Sequence, residues 1–175
     1  RGPREGFIEN MRNNVTLLRR KIHHPDFHVD TVRLGRYTRT DIALVYISSI
    51  VNKDVLQKLR KRLESIDIDS VLDSGYIEQF IQDTPYSLFP TIGTAEKPDI
   101  AAAKILEGRI AIIVDGSPVA LTVPMLFVEG MQSPEDYYTR FSYASWIRLI
   151  RSIALFISVF LPGLFVAVCC FHQQV

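Results

Sequence analysis

Apolar residues recur at Phe7, Met11, Val15, Leu18 and Ile22, at spacings that line one side of a helix ending before His24-Pro25. Arg12, Asn13, Arg19 and Arg20 fall on the opposite side, so the helix is amphipathic and basic, with its apolar stripe against a core. Phe27, Val29, Val32 and Leu34 then suggest a strand, Gly35 punctuates the chain, and Ile42 to Ile50 form a β-branched run that reads as a buried, central strand. Asn52 caps the next helix, whose Val55, Leu56, Leu59, Leu63 and Ile66 face inward while Lys58, Arg60, Lys61 and Arg62 stay wet.

A polar crossing through Asp67 and Asp69 leads to Val71-Leu72, the third strand of this order, and Ser74-Gly75 precedes a short helix with Tyr76, Ile77, Phe80 and Ile81. The run from Pro85 to Pro98, broken by Pro90 and Gly93, reads as irregular. Helix resumes from Asp99 to Glu107 and stops at Gly108. Arg109 to Val114 and Val119 to Val123 flank Asp115-Gly116-Ser117-Pro118, which predicts a hairpin with a four-residue loop and a structural turn at Asp115 and Gly116. Ser133-Pro134-Glu135-Asp136 combines an N-cap, a first-turn proline and an acidic first turn, and starts a helix carrying Tyr137, Tyr138, Phe141, Tyr143 and Trp146.

Ser152 to Phe171 runs without a charge and follows Arg148 and Arg151. A bilayer core of about 30 Å needs roughly 20 helical residues, so this stretch is read as a transmembrane helix. Basic residues favour the cytoplasmic flank, which assigns the preceding domain to the cytoplasm. The expected fold is an α/β or α+β type, a small mixed-sheet cytoplasmic domain followed by a transmembrane helix. Its parts are a basic N-terminal helix and first strand (1–39), an α/β core (40–132), a juxtamembrane helix (133–151), the span (152–171) and a short tail (172–175). Because the chain opens RGPREGF without Met and stops directly after the hydrophobic run, a piece of a longer membrane protein is expected.

Composition narrows the function. Twenty basic against 19 acidic residues leave a net charge of +1, which does not indicate a nucleic-acid-binding domain. Charge is nevertheless polarised: residues 1–39 hold nine Lys or Arg against four Asp or Glu, and residues 40–101 hold six against ten. The two cysteines, Cys169 and Cys170, lie side by side in the apolar run, where neither a disulfide framework nor a zinc site is built. His23, His24, His28 and His172 match no catalytic or metal pattern, the Asp67/Asp69 and Asp73/Glu78 pairs lack a calcium loop, and the glycines form neither a P-loop nor a dinucleotide fingerprint. No catalytic residue, cofactor or metal is assigned, and the chain is not read as an enzyme. A solute-binding module stays open, because a cleft between α/β lobes needs no named motif.

Several blocks carry a family resemblance: Arg1-Gly2-Pro3-Arg4-Glu5-Gly6-Phe7, Asn14, Leu17 to Ile22, Asp73-Ser74-Gly75-Tyr76-Ile77-Glu78, Phe89-Pro90, Lys97-Pro98-Asp99, Leu106-Glu107-Gly108-Arg109, Val114-Asp115-Gly116 and Ser133 to Tyr138. Together and in this order they resemble the A subunits of spore germinant receptors, the GerA family. The resemblance implies a multi-pass protein of the inner spore membrane with a cytoplasmic N-terminal region in two subdomains, of which this chain holds mainly the second. It implies a transporter-like B subunit, a lipoprotein C subunit, other A subunits in a homo-oligomer, and membrane lipids as partners, and a role in nutrient-triggered germination with ion release through an oligomeric channel. A related branch, an accessory germination ion channel associated with dipicolinate release, is the alternative; Arg1-Gly2-Pro3-Arg4 and Asp73 to Tyr76 look more like the nutrient-receptor branch. Two groups of residues are singled out: Arg4, Glu5, Glu9, Arg19 and Arg20 as a subunit or subdomain interface, and Tyr137, Tyr138, Phe141, Trp146, Arg148 and Arg151 as a juxtamembrane coupling element.

Overall fold

The structure, a computed structural model, describes residues 3–82, 90–126, 129–130 and 139–171. The chain divides into two compact units, Pro3–Phe127 and a second formed by Val128–Val175 with Arg1–Gly2.

In the first unit, five strands form one sheet in the order β1-β2-β4-β5-β3: β1 (Phe27–Leu34), β2 (Thr40–Ile47), β3 (Gly93–Ala95), β4 (Ile110–Val114) and β5 (Ala120–Val123). The expected combination of helices and a sheet is present, but the sheet, expected to be mixed, pairs antiparallel throughout. Four helices accompany it: α1 (Met11–Lys21), α2 (Lys53–Ser65), α3 (Ser74–Ile81) and α4 (Pro98–Leu106). Side chains alternate across β2 and β4, and each face has its own helices. Ile42, Leu44, Tyr46, Ile110, Ile112 and Val114 pack with Leu56, Leu59 and Leu63 of α2 and Ile77 and Ile81 of α3. Ala43, Val45, Ile47, Ala111 and Ile113 pack with Met11 and Leu18 of α1 and Ala101 and Ile105 of α4. Burial on both faces explains why β2 and β4 read as continuous apolar runs although they are antiparallel. The small Ala residues of α4 and the sheet bring helix and strand backbones close on that second face.

Local chemistry sets the boundaries. Asn52 caps α2 through its side chain, bonding Asp54 N at 3.0 Å and Val55 N at 3.4 Å. Gly108 ends α4 at φ +88°, where a Cβ would stand 2.7 Å from the Ile50 carbonyl oxygen.

Five local expectations change. Val71-Leu72 is not a strand: the Thr38 hydroxyl accepts from Val71 N at 3.1 Å and the Thr40 hydroxyl donates to Val71 O at 2.8 Å, so side chains take the bonds a strand partner would supply. Part of the expected irregular run, Gly93–Ala95, is the edge strand β3, whose three residues are too few to show alternation. The β2 strand stops at Ile47 rather than Ile50, and five residues, 115–119, separate β4 from β5. Helix α1 begins at Met11, because Phe7 N is held by Glu96 O at 2.9 Å, although Phe7 is buried with the rest of its stripe.

In the second unit, α5 (Phe141–Phe171) is one uninterrupted helix of 31 residues containing Pro162. At about 1.5 Å per residue it is about 46 Å long, more than a bilayer core requires. Its Phe141–Cys169 stretch is long and apolar enough to cross a membrane, with none of its apolar window buried within the chain. The expected helix start at Ser133 to Asp136, Tyr137, Tyr138 and the tail 172–175 lie outside the described residues.

Candidate functional site

The blocks that are far apart in sequence meet at the loop after β4. Gly116, at φ +89°, donates its N–H to Glu9 O at 2.8 Å. Asp115 reaches the same segment with its side chain, accepting from Met11 N at 3.0 Å, and its own N–H bonds Asp41 O at 3.0 Å. Asp115 therefore serves a donor that the first turn of α1 leaves without a helical partner, alongside Asn10, which accepts from Asn13 N at 3.1 Å. Ser117, fully buried, donates to the Ser74 hydroxyl at 3.0 Å, and the Asp73 side chain caps α3 by accepting from Gly75 N at 3.4 Å. The neighbouring Ser117 hydroxyl, with the Ser74 and Gly75 amides, holds the Asp73 carboxyl below its usual range against partial burial.

The segment before α1 is fixed from two more directions. Asn14, fully buried, accepts from Ile8 N at 2.9 Å and donates to Ile8 O at 2.5 Å, so one side chain satisfies both backbone groups of a residue in extended chain. Phe7 N reaches Glu96 O in the turn before α4. The Glu5-Gly6-Phe7, Asn14, Lys97-Pro98-Asp99, Asp73-Ser74 and Asp115-Gly116 blocks thus belong to one connected structure around the ends of α1, α3 and α4.

The interface candidates do not form one cluster. Glu5 and Arg20 approach to 3.8 Å with both side chains largely in solvent, Arg19 stands 5.7 Å over the Phe27 ring, Arg4 is exposed, and Glu9 contributes its backbone to Gly116. On α5, roughly 100° per residue sets Tyr143, Trp146 and Ile150 on one side and Phe141 and Arg148 on the other. Trp146 and Phe141 are 63% and 88% exposed, which leaves both rings available to a medium or partner outside the unit. Asn14, Ser74 and Ser117 were not singled out by chemistry in the sequence; the only signal was that Asn14 and Ser74 fall inside family blocks.

Among the described residues no group of three or more His, Cys, Asp or Glu is placed to hold a metal ion. The surroundings of the loop are instead those of a structural junction, with hydroxyls, amides, carbonyls and carboxylates bonded to one another.

A family profile described as Bacillus/Clostridium GerA spore germination protein matches residues 1–175. The chain belongs to the GerA family. It is 49% identical to "Spore germination protein KA" of Bacillus subtilis over 99% of this chain and 32% of that protein. It is 42% identical to "Spore germination protein B1" of the same organism, over 98% of this chain and 36% of that protein. The crystal structure of the N-terminal domain of the A subunit of the Bacillus megaterium spore germinant receptor GerK3 is similar at 48% identity and a TM-score of 0.56, covering 70% of this chain and 98% of that one. The chain thus spans about a third of the length of the curated relatives it matches. GerA membership places it among germination proteins and not among enzymes.

Proposed function

We propose that this chain is part of the A subunit of a nutrient-responsive spore germinant receptor, with its α/β domain in the cytoplasm and α5 as the first of several spans in the inner spore membrane. The observation that carries this reading is the 48% identity to a domain described as belonging to a germinant-receptor A subunit. In this reading a transporter-like B subunit and a lipoprotein C subunit are partners, and copies of the A subunit assemble into a channel that releases ions early in germination.

The physical contribution of this chain is to transmit position. In this proposal residues 133–151 couple the domain to the span, with Phe141 and Trp146 at the headgroups and Arg148 and Arg151 meeting anionic lipid. The uninterrupted run of α5 from Phe141 supports this, because a helix carries a rotation or tilt along its axis where a flexible linker absorbs it. A flexible Gly-Ser insertion after Ser145 tests it. Receptor abundance stays near normal and nutrient-triggered release of monovalent cations from spores weakens; wild-type release kinetics at equal abundance remove the coupling role.

A further inference from the structure

The domain neutralises its arginines unevenly. Arg33 pairs with Asp41 at 2.7 Å, Arg36 with Asp67 and with Asp69 at 4.0 Å, and Arg60 with Asp30. These pairs hold the Asp41 and Asp67 carboxyls below their usual range through hydrogen bonds from Arg33 and Arg36. The last turn of α1 lacks such pairing. Arg19 and Lys21 are exposed, and among the described residues no carboxylate lies within ion-pair distance of either. Among the described residues Arg20 reaches Glu5, at 3.8 Å between two solvated side chains, a pair that solvent screens. The carbonyls at the C-terminus of α1 contribute roughly half a negative charge. Three basic side chains, Arg19, Arg20 and Lys21, exceed that complement.

This surplus borders a groove of about 400 Å³ lined by Arg19, Ile22, His23, His24, Pro25 and Phe27. Its apolar side is fixed, since Ile22 is buried in the core and Phe27 packs against the same cluster. Its cationic side is positioned as well, because the Arg19 guanidinium rests over the Phe27 ring. His24 Nδ1 accepts from Asp26 N at 3.2 Å, which leaves Nε2 to carry the ring proton and act as a donor. The Asp26 carboxylate stands 3.9 Å from His24 Nδ1 but does not line the groove. A cation, two imidazoles and an apolar floor together match a phosphate oxyanion joined to a hydrocarbon body better than a fully hydrated anion. The chain also carries a helix long and apolar enough to cross a lipid membrane.

We propose that the groove between the last turn of α1 and the start of β1 binds the phosphate headgroup of an anionic phospholipid. Arg19 and the imidazoles contact the oxyanion, Lys21 adds to the local field, and Pro25 and Phe27 take the adjoining apolar carbons. The proposal rests on the reading of α5 as a membrane span. It is tested with the whole chain in nanodiscs, of phosphatidylcholine alone or of equal parts phosphatidylcholine and phosphatidylglycerol, by hydrogen exchange of the Ile22–Phe27 amides. Exchange slows severalfold in the anionic discs, the slowing is lost in Arg19→Glu and retained in Arg19→Lys, and it weakens with added salt. Equal exchange in both discs overturns the headgroup site. Full protection in neutral discs by added inorganic phosphate overturns the lipid as the source, and equal protection by polyglutamate overturns phosphate chemistry. A chain that enters neither disc sinks the span reading, and this proposal with it.

Discussion

Gly116 and Glu9 are joined by a backbone hydrogen bond of 2.8 Å, which ties the hairpin loop to the segment that enters α1. Gly116 can make it because its φ of +89° turns the N–H outward from the hairpin. Gly116→Val lowers the stability of the domain by about 1 to 3 kcal/mol, measured by chemical denaturation. The cost is conformational, since a Cβ there would meet only Leu72 O, at 3.8 Å. Unchanged stability would show that the loop adopts another backbone conformation.

Gly108→Ala provides the contrast. Positive φ acts there together with a 2.7 Å approach of the new Cβ to Ile50 O, a backbone atom that cannot rotate away. The loss is larger than for an alanine at position 116, at about 2 kcal/mol or more, read from the same denaturation midpoint. Equal losses at the two positions would mean that the Ile50 segment yields.

Asp115→Ala removes the acceptor for Met11 N and is expected to cost about 1 kcal/mol, comparable with the loss of a helix cap. Hydrogen exchange of the first turn of α1 rises with it. A drop confined to the hairpin would contradict the link between them.

Asp73 predicts a pH dependence. Its folded-state carboxyl titrates below the ordinary 3.8, so its contribution is fully present above 3.8 and is lost as pH falls through the folded value. Asp73→Asn therefore lowers stability at neutral pH and flattens the acid limb of the stability curve below about pH 4. Parallel curves for the two proteins would contradict the Ser117 contact.

Under the proposed receptor role, charge reversal at Arg19 and Arg20 is expected to reduce recovery of the complex more than it lowers the stability of the fold. Both side chains are exposed, and the one ion pair involved, with Glu5, is solvated. Recovery of the complex against denaturation of the variant separates the two effects; normal recovery at physiological salt counts against an interface here.

What was legible in the sequence was what has a period or a punctuation mark. The stripe from Phe7 to Ile22, the cap at Asn52, the apolar strands around Asp115-Gly116 and the charge-free run from Ser152 each announce themselves through local spacing. Val71 and Gly93 do not. The backbone of Val71 is bonded by threonines 33 and 31 residues earlier, and β3 exists because β5 offers it an edge. The contact between Asp115 and Met11 spans 104 residues, and no local pattern marks it. At the candidate site, the turn and the N-terminal segment were each visible, but not that they are the same structure. Their joint presence among the family blocks was the only hint.

Pro162 lies within α5 and has no N–H to give, so the Ser158 carbonyl loses its ordinary helical donor in the middle of an apolar stretch. In water such a group is solvated at little cost. In hydrocarbon it is expensive, and it must be met by a tighter local turn, by a hydroxyl or by a donor from another helix. Beside it Gly163 leaves open space, with nothing within 4 Å of where a Cβ would stand. An acceptor short of its ordinary donor next to a bare stretch of backbone makes a helix that gains more from close company than a uniform apolar rod of the same length would.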